Sequence, residues 1–308
     1  MGMPRALVFS EYGGPEVLRL IDVPLPEPGL GEVRLRVRAA GVQPFDNAFR
    51  AGMARAWAPA SFDRGGGPQP TGTEAAGVVD AVGDGVSRLT VGDEVLGWCG
   101  GAFAEYTVVP EGQLAAKPAG MPWAEAGSLT ASGQTAHSAL RALGAEEGET
   151  LLVHAAAGGV GSYAVQLAVA WGMRVIGTAS ARNHDYLREL GATPVAYGPG
   201  LADRVRAIAA VDASFDAVAT DESLRVGAEL APGRAGTIAG DPGKAAGFGV
   251  RWLDTGRDLP SLQELLALYG DGRLRVEVAR TFPLDRAAEA MSEVATGHVR
   301  GKVVVTPA

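Results

Sequence analysis

The sequence predicts an α/β protein in two parts: a β-rich N-terminal region followed by a doubly wound parallel sheet. Three observations predict it. The first 120 residues hold short β-type segments separated by Gly, Pro and Asp turns. From about Pro122 onward, helical segments alternate with short apolar strands, the signature of a parallel sheet covered on both faces. At one strand–helix junction, "AAAGGVG" (Ala155–Gly161), the chain carries no polar side chain at all. With 308 residues, of which 47 % are apolar, there is enough material for two domains with their own cores.

The N-terminal strands read, in order, as "RALVFS", "VRLRVRAAGV", "EAAGVVDAVG", "GDEVLGWC" and "AFAEYTVV". Each is β-branched or alternating, and turns such as "EYGGPE", "PLPEPGLGE" and "GDGV" separate them. The stretch Arg50–Pro70 has a Gly triplet and no clear period, so it reads as a long loop, a length uncommon without a function. The second region alternates "AEAGSLTASGQTAHSALRAL", "TLLVHA", "YAVQLAVAWG", "RVIGTA", "NHDYLRELG", "PVAY", "LADRVRAIAA", "FDAVAT" and "AGTIAG". The tail holds a strand, a helix announced by Pro283–Asp285, and a last strand, "RGKVVV". The expected divisions are 1–121, 122–270 and 271–308.

Composition excludes several classes. Net charge is −8 with a pI near 5.1, and no Lys/Arg block reads as a nucleic-acid patch. Arg34, Arg36 and Arg38, at spacing two, share one face of a strand and read as a solvated edge rather than a phosphate track. Cys99 is the sole cysteine, so no internal disulfide and no Cys-rich zinc site can form. No pair among His137, His154, His184 and His298 has a ligand spacing, and no metal site is expected. No apolar run is long enough to span a bilayer, and the opening residues do not read as a signal peptide. A cytoplasmic protein is the expectation.

The bare junction has a direct physical reading. Thr150–His154 is a predicted strand and Ser162–Trp171 a predicted helix. Between them, Ala156, Ala157, Gly158, Gly159, Val160 and Gly161 match a dinucleotide-binding turn whose first glycine is replaced by Ala156. Small residues let the backbone approach a pyrophosphate, and the helix N-terminus solvates the anion. Without a ligand, the same residues would make a tight strand–helix corner. The next strand ends Thr178-Ala179-Ser180-Ala181-Arg182, with no carboxylate before Asp185. A carboxylate there would bind the ribose hydroxyl of NADH; the Ser180 hydroxyl and Arg182 guanidinium suit the 2′-phosphate of NADPH.

On these residues the chain resembles the zinc-independent branch of the medium-chain dehydrogenase/reductase superfamily, the quinone oxidoreductase-like proteins. The likeness runs through "EYGGPEVL", "AAGVQPFD", "GTEAAGVVDAVGDGV", "GDEV", "GAFAEYTVVP", "LLVHAAAGGVGSYAVQLA" and "GHVRGKVVV". It implies a GroES-like catalytic domain with a Rossmann domain inserted in it, so that residues 271–308 return to the first domain. It implies NADPH, a small quinone or enone substrate bound in the interdomain cleft, and a homodimer. Zinc relatives carry a ligand cysteine and a ligand histidine where this chain has Gln43 and Thr73, and the branch usually has Asn in place of Gln43.

Without metal, hydride transfer rests on positioning and on polarising an acceptor carbonyl. Gln43 is the candidate hydrogen-bond donor, with a structural amide before Pro44 as the alternative. Phe45, Phe49 and Trp57 could form an apolar wall, or be plain packing. His137 and His154 are candidate acids. The resemblance places Tyr197 beside the adenosine phosphate, while Lys302, with Gly301, either reaches the cofactor or lies in a surface turn. The readings that follow are an NADPH-dependent quinone or enone reductase, a dedicated enoyl or cyclising reductase of a polyketide-like pathway, and an NADPH-binding regulator without turnover.

Overall fold

The computed structural model describes residues 2–53 and 67–307; Trp57 and most of the Arg50–Pro70 stretch lie outside them. The chain divides into two compact units. One comprises Met1–Ala131, Asp258–Gln263 and Val276–Ala308, the other Ser132–Arg257 and Glu264–Arg275.

The first unit is built on β1 (Arg5–Phe9), β2 (Arg19–Asp22), β3 (Glu32–Val42), β4 (Gln69–Pro70), β5 (Glu74–Val82), β6 (Glu94–Trp98), β7 (Tyr106–Pro110) and β8 (Leu114–Ala116). Two late strands join them: β15 (Val278–Pro283) and β16 (Lys302–Thr306). A small sheet runs β2-β1-β4, and a larger one runs β15-β16-β3-β5-β6-β8 with β7 also paired to β3. The C-terminal strand is therefore internal: β16 pairs β15 on one side and β3 on the other, with Val303 opposite Val42. The inward residues Val33, Leu35, Val37, Val79, Val95, Phe103, Val303 and Val305 are fully buried and form the core.

A short helix, α1 (Pro44–Arg50), follows β3 and was not expected. Pro44 presets its first turn, and the Asp46 carboxylate accepts the Gln43 backbone N–H at 2.7 Å. Of the three arginines of β3, Arg34 reaches Asp80 at 2.7 Å and Arg38 lies over the Trp123 ring, while Arg36 is exposed.

The second unit holds six parallel strands in the order β11-β10-β9-β12-β13-β14. They are β9 (Thr150–His154), β10 (Arg174–Ala179), β11 (Thr193–Ala196), β12 (Ala213–Asp216), β13 (Ala235–Thr237) and β14 (Arg251–Trp252). This is the Rossmann strand order. The central β9 is buried throughout, as its unbroken apolar run requires. After it, α3 (Gly159–Ala170) starts inside the glycine turn, earlier than the expected Ser162. The helices α2 (Trp123–Leu143), α4 (His184–Glu189), α5 (Leu201–Arg206), α6 (Asp221–Leu230), α7 (Pro242–Gly247), α8 (Leu259–Gly270) and, in the first unit, α9 (Ala287–Ala295) complete the described helices.

One expected strand is shorter than its sequence suggested. "FDAVAT" stops at Asp216, because the Asp216 carboxylate accepts the N–H groups of Val218 at 3.1 Å and Ala219 at 2.9 Å. That side-chain turn replaces the ladder, and Ala219 adopts φ +56°.

Candidate active site

Two constellations emerge, one in each unit. In the second unit, the chain leaves β9 through Ala155, a non-glycine residue at φ +54°. This is the left-handed residue of the turn, one position ahead of the alanine that stands for the motif's first glycine. Its amide donates to the Thr178 hydroxyl at 3.2 Å, and the Ala156 amide donates to the Thr178 carbonyl at 3.0 Å. The Ala156 methyl is buried, close against Gly177 of β10.

Gly158 and Gly161 are glycines for different reasons. A Cβ on Gly161 would overlap the Ala155 carbonyl, so this glycine lets α3 pack on the turn. A Cβ on Gly158 would meet only the Ala155 carbonyl oxygen, at 3.3 Å, and φ there is an ordinary −79°. A side chain at Gly158 would therefore need a small shift of that carbonyl, far less than the overlap at Gly161. The helix N-terminus beside it has neither a capping side chain nor an acid in its first turn. The N–H groups of Gly159, Val160 and Gly161 have no acceptor within the helix. Bare backbone and an uncapped helix fit a dinucleotide pyrophosphate.

Ser180 stands at the start of the short turn Ala181–Asn183 after β10 with no capping bond from its side chain, and Arg182 is exposed in that turn. The first carboxylate beyond, Asp185, is engaged by Arg188 at 2.6 Å. Tyr197 is 58 % exposed just after β11, and the next residue's N–H, that of Gly198, is held by Glu222 at 2.8 Å.

His154 ends β9 opposite Asp216 in the register. Burial lowers its pKa to about 4 against the pull of Asp216 and Glu222. The imidazole is thus neutral at physiological pH and a poor acid. His137 lies on α2 with Nε2 at 2.9 Å from Glu264, and the Trp171 indole donates to the same carboxylate at 2.8 Å. Burial pulls the Glu264 pKa up, but the hydrogen bonds from His137 and Trp171 outweigh it and leave the group below its usual value. His137 is thereby tied into a packing network of this unit.

The first unit holds a buried polar cluster. Gln43, at the N-terminus of α1, donates its Nε2 to Oε1 of Glu74. Glu74 is fully buried; its Oε2 accepts the Ala131 N–H at 2.7 Å and its Oε1 lies 3.2 Å from Lys302 Nζ. Lys302 is thus neither at a surface turn nor in the second unit: β16 carries it into this cluster. Asp46 lies alongside, and burial, with the Glu74 charge adding, raises its pKa to about 7 although the Gln43 N–H opposes the shift. Phe49 packs edge-on to Phe9 at 5.5 Å within the core, stacked parallel to Phe45. Asp46 and Glu74 escaped notice as partners of Gln43, although "AAGVQPFD" and "GTEAAG" contain both.

The positions of the zinc ligands in zinc relatives hold an amide and a hydroxyl, Gln43 and Thr73. Among the described residues, no three His, Cys, Asp or Glu side chains come together as a metal site. This donor set does not fit Zn²⁺.

Fold and sequence comparison then agree. Residues 29–119 match the alcohol dehydrogenase GroES-like domain and residues 190–305 match the zinc-binding dehydrogenase domain. The chain belongs to the medium-chain dehydrogenase/reductase superfamily, in its quinone oxidoreductase-like branch, and is of an oxidoreductase family. It is 33 % identical to a quinone oxidoreductase of Pseudomonas aeruginosa, covering 99 % of this chain and 100 % of that one. It is likewise 33 % identical to the NADPH-dependent alkenal/one oxidoreductase of Arabidopsis thaliana chloroplasts, over 98 % of this chain and 79 % of that one. To the pikromycin polyketide synthase component PikAII of Streptomyces venezuelae it is 37 % identical over 91 % of this chain, which is 8 % of that protein. Among solved structures, the Coxiella burnetii quinone oxidoreductase superimposes with a TM-score of 0.86 at 29 % identity, covering 99 % of each chain. Mycobacterial Rv1454c complexed with NADPH gives a TM-score of 0.83 at 29 % identity, covering 98 % of this chain and 100 % of that one. No helix among the described residues is long and apolar enough to cross a membrane.

Proposed function

We propose that this chain is an NADPH-dependent reductase of quinones and α,β-unsaturated carbonyl compounds that works without zinc. The observation that carries the reading is the uncapped α3 N-terminus behind a turn, Ala155–Gly161, that carries no polar side chain. The β10 end beside it offers Ser180 and Arg182 in place of a carboxylate. When bound, NADPH supplies a hydride, that is, two electrons and one proton. The backbone of Ala157–Gly161 would hold the pyrophosphate, with Thr178 fixing the turn; Ser180 and Arg182 would read the 2′-phosphate, and Tyr197 would stand beside the adenosine phosphate. With the cofactor bound, reduction of an enone would gather negative charge on its carbonyl oxygen, and the site would have to stabilise that charge. The Gln43 amide donates a hydrogen bond to that oxygen, and solvent supplies the proton to the α-carbon. On a quinone the same amide would donate to the carbonyl oxygen that becomes a hydroquinone oxygen.

The relatives' names support this reading, and the PikAII match favours a second one, enoyl reduction within a polyketide-like pathway. A fluorescence titration with NADPH and NADH, followed by turnover of 1,4-benzoquinone, 3-penten-2-one and an enoyl thioester, tests both. Tighter NADPH binding with quinone and enone turnover supports the first reading; turnover of the thioester alone supports the second. Elemental analysis of the purified protein should find no stoichiometric zinc, and activity should survive chelation. Zinc at one per chain, lost together with activity, would overturn the metal-free mechanism.

A further inference from the structure

We infer that Glu74 is a positioning residue for the reaction, acting by holding the Gln43 amide in one orientation. This rests on the reading of Gln43 as the donor to the substrate carbonyl. Three donors from three elements converge on the two Glu74 oxygens: the Gln43 amide at the start of α1, the Lys302 ammonium on β16 and the Ala131 N–H in α2. A carboxylate only accepts, so the Gln43 amide must turn its NH₂ group, not its oxygen, toward Glu74. That fixes which end of the amide is which and sets the direction of its N–H bonds. Without the carboxylate, only the Asp46 backbone N–H, which the Gln43 side chain accepts in the capping box, would hold the amide, and its NH₂ end would lose a fixed acceptor. The neighbouring backbone makes room for this arrangement: a Cβ on Gly41 would overlap the Glu74 carboxylate. Lys302 neutralises the buried charge, which a carboxylate at this depth requires.

Glu74→Gln tests this, because an amide presents one acceptor and one donor to three donors and must oppose at least one. The probes are 3-penten-2-one and 1,4-benzoquinone at saturating NADPH. An enone needs carbonyl polarisation more than a quinone, whose second carbonyl already draws in the added electrons. The expected result is a kcat on the enone reduced about ten- to a hundredfold, as for a misplaced catalytic group. The quinone loss should be smaller and the NADPH KM unchanged. Gln43→Ala should show the same pattern, and Gln43→Ala/Glu74→Gln should be no worse than Gln43→Ala, since the two residues act as one unit. If Glu74→Gln fails to melt cooperatively, Glu74→Gln/Lys302→Met removes both charges and takes its place in the cycle. Wild-type enone kcat in the Glu74 variant, equal losses on both substrates, or losses that multiply in the double variant would each overturn the positioning role. Wild-type kcat in Gln43→Ala would instead overturn the donor reading, and the positioning with it.

Discussion

The amide of Ala155 and the hydroxyl of Thr178 are hydrogen-bonded at 3.2 Å, and this bond joins the strained residue of the glycine turn to the neighbouring strand. Ala155 sits at φ +54°, which costs a non-glycine residue about 1 kcal/mol or more. Thr178 is buried and offers that residue's N–H its acceptor. Thr178→Val keeps the shape and removes the oxygen, leaving a half-buried donor without this acceptor. We expect a loss of about 1–3 kcal/mol in urea unfolding, with weaker NADPH binding and restoration of both by Thr178→Ser. Unchanged stability in the valine variant would show that the turn holds without this bond.

The two tested glycines of the turn should separate binding from folding. Gly158→Val brings its Cβ to 3.3 Å from the Ala155 carbonyl oxygen, which must give slightly, but needs no left-handed φ, so the apo protein should still fold with a loss of about 1–3 kcal/mol. Its side chain would occupy the place assigned to the pyrophosphate. A thermal melt should therefore show the NADPH-induced rise in Tm for the wild type and none for the variant. Gly161→Ala should do the opposite damage, because its methyl would overlap the Ala155 carbonyl. A full NADPH shift in Gly158→Val would make the turn a packing corner only.

The part of this molecule that reads from sequence is the part built from local signals. The β9–turn–α3–β10 segment declares itself because side-chain size, apolar period and glycine spacing all change within a few residues. The Gln43–Glu74–Lys302 cluster has no such signal. Residues 74 and 302 meet only because β16 pairs with β3, a long-range register invisible to any window. The same holds for His137, whose Glu264 partner comes from α8, a helix the sequence reading did not single out. Helix α1 is too short to show a period, and it is fixed by Pro44 and the Asp46 cap instead.

Asp46 and His154 should tilt stability in opposite directions with pH. Asp46 titrates near 7 when folded against 3.8 as a free side chain. Between those values the folded state binds the extra proton, so stability falls as pH rises through that window. His154 titrates near 4 when folded against 6.5 free, so the unfolded state binds the extra proton and stability falls as pH drops from 6.5 to 4. Where the windows overlap, the two slopes oppose, each at most about 1.4 kcal/mol per pH unit. Asp46→Asn keeps an acceptor for the Gln43 N–H and deletes one slope. Urea midpoints should then rise with pH between 4 and 7 relative to wild type. Parallel curves for the two proteins would mean that Asp46 titrates normally in the fold.

Arg182 allows the cofactor preference to be tested without touching the turn. It is exposed at the end of β10, next to Ser180, and the nearest following carboxylate, Asp185, is engaged by Arg188. NADPH and NADH differ only in the 2′-phosphate. A guanidinium that contacts it gives a charge-assisted bond of about 1.5–3 kcal/mol. Arg182→Ala should therefore weaken NADPH roughly 10- to 100-fold and leave NADH nearly unchanged. The NADPH loss should shrink as salt is raised, since an exposed contact is screened. Fluorescence titration of both cofactors at two ionic strengths makes the measurement. Equal losses for NADPH and NADH would mean that Arg182 supports the local turn rather than reading the phosphate. Loss for neither would move that role to Ser180, for which Ser180→Ala is the matching variant.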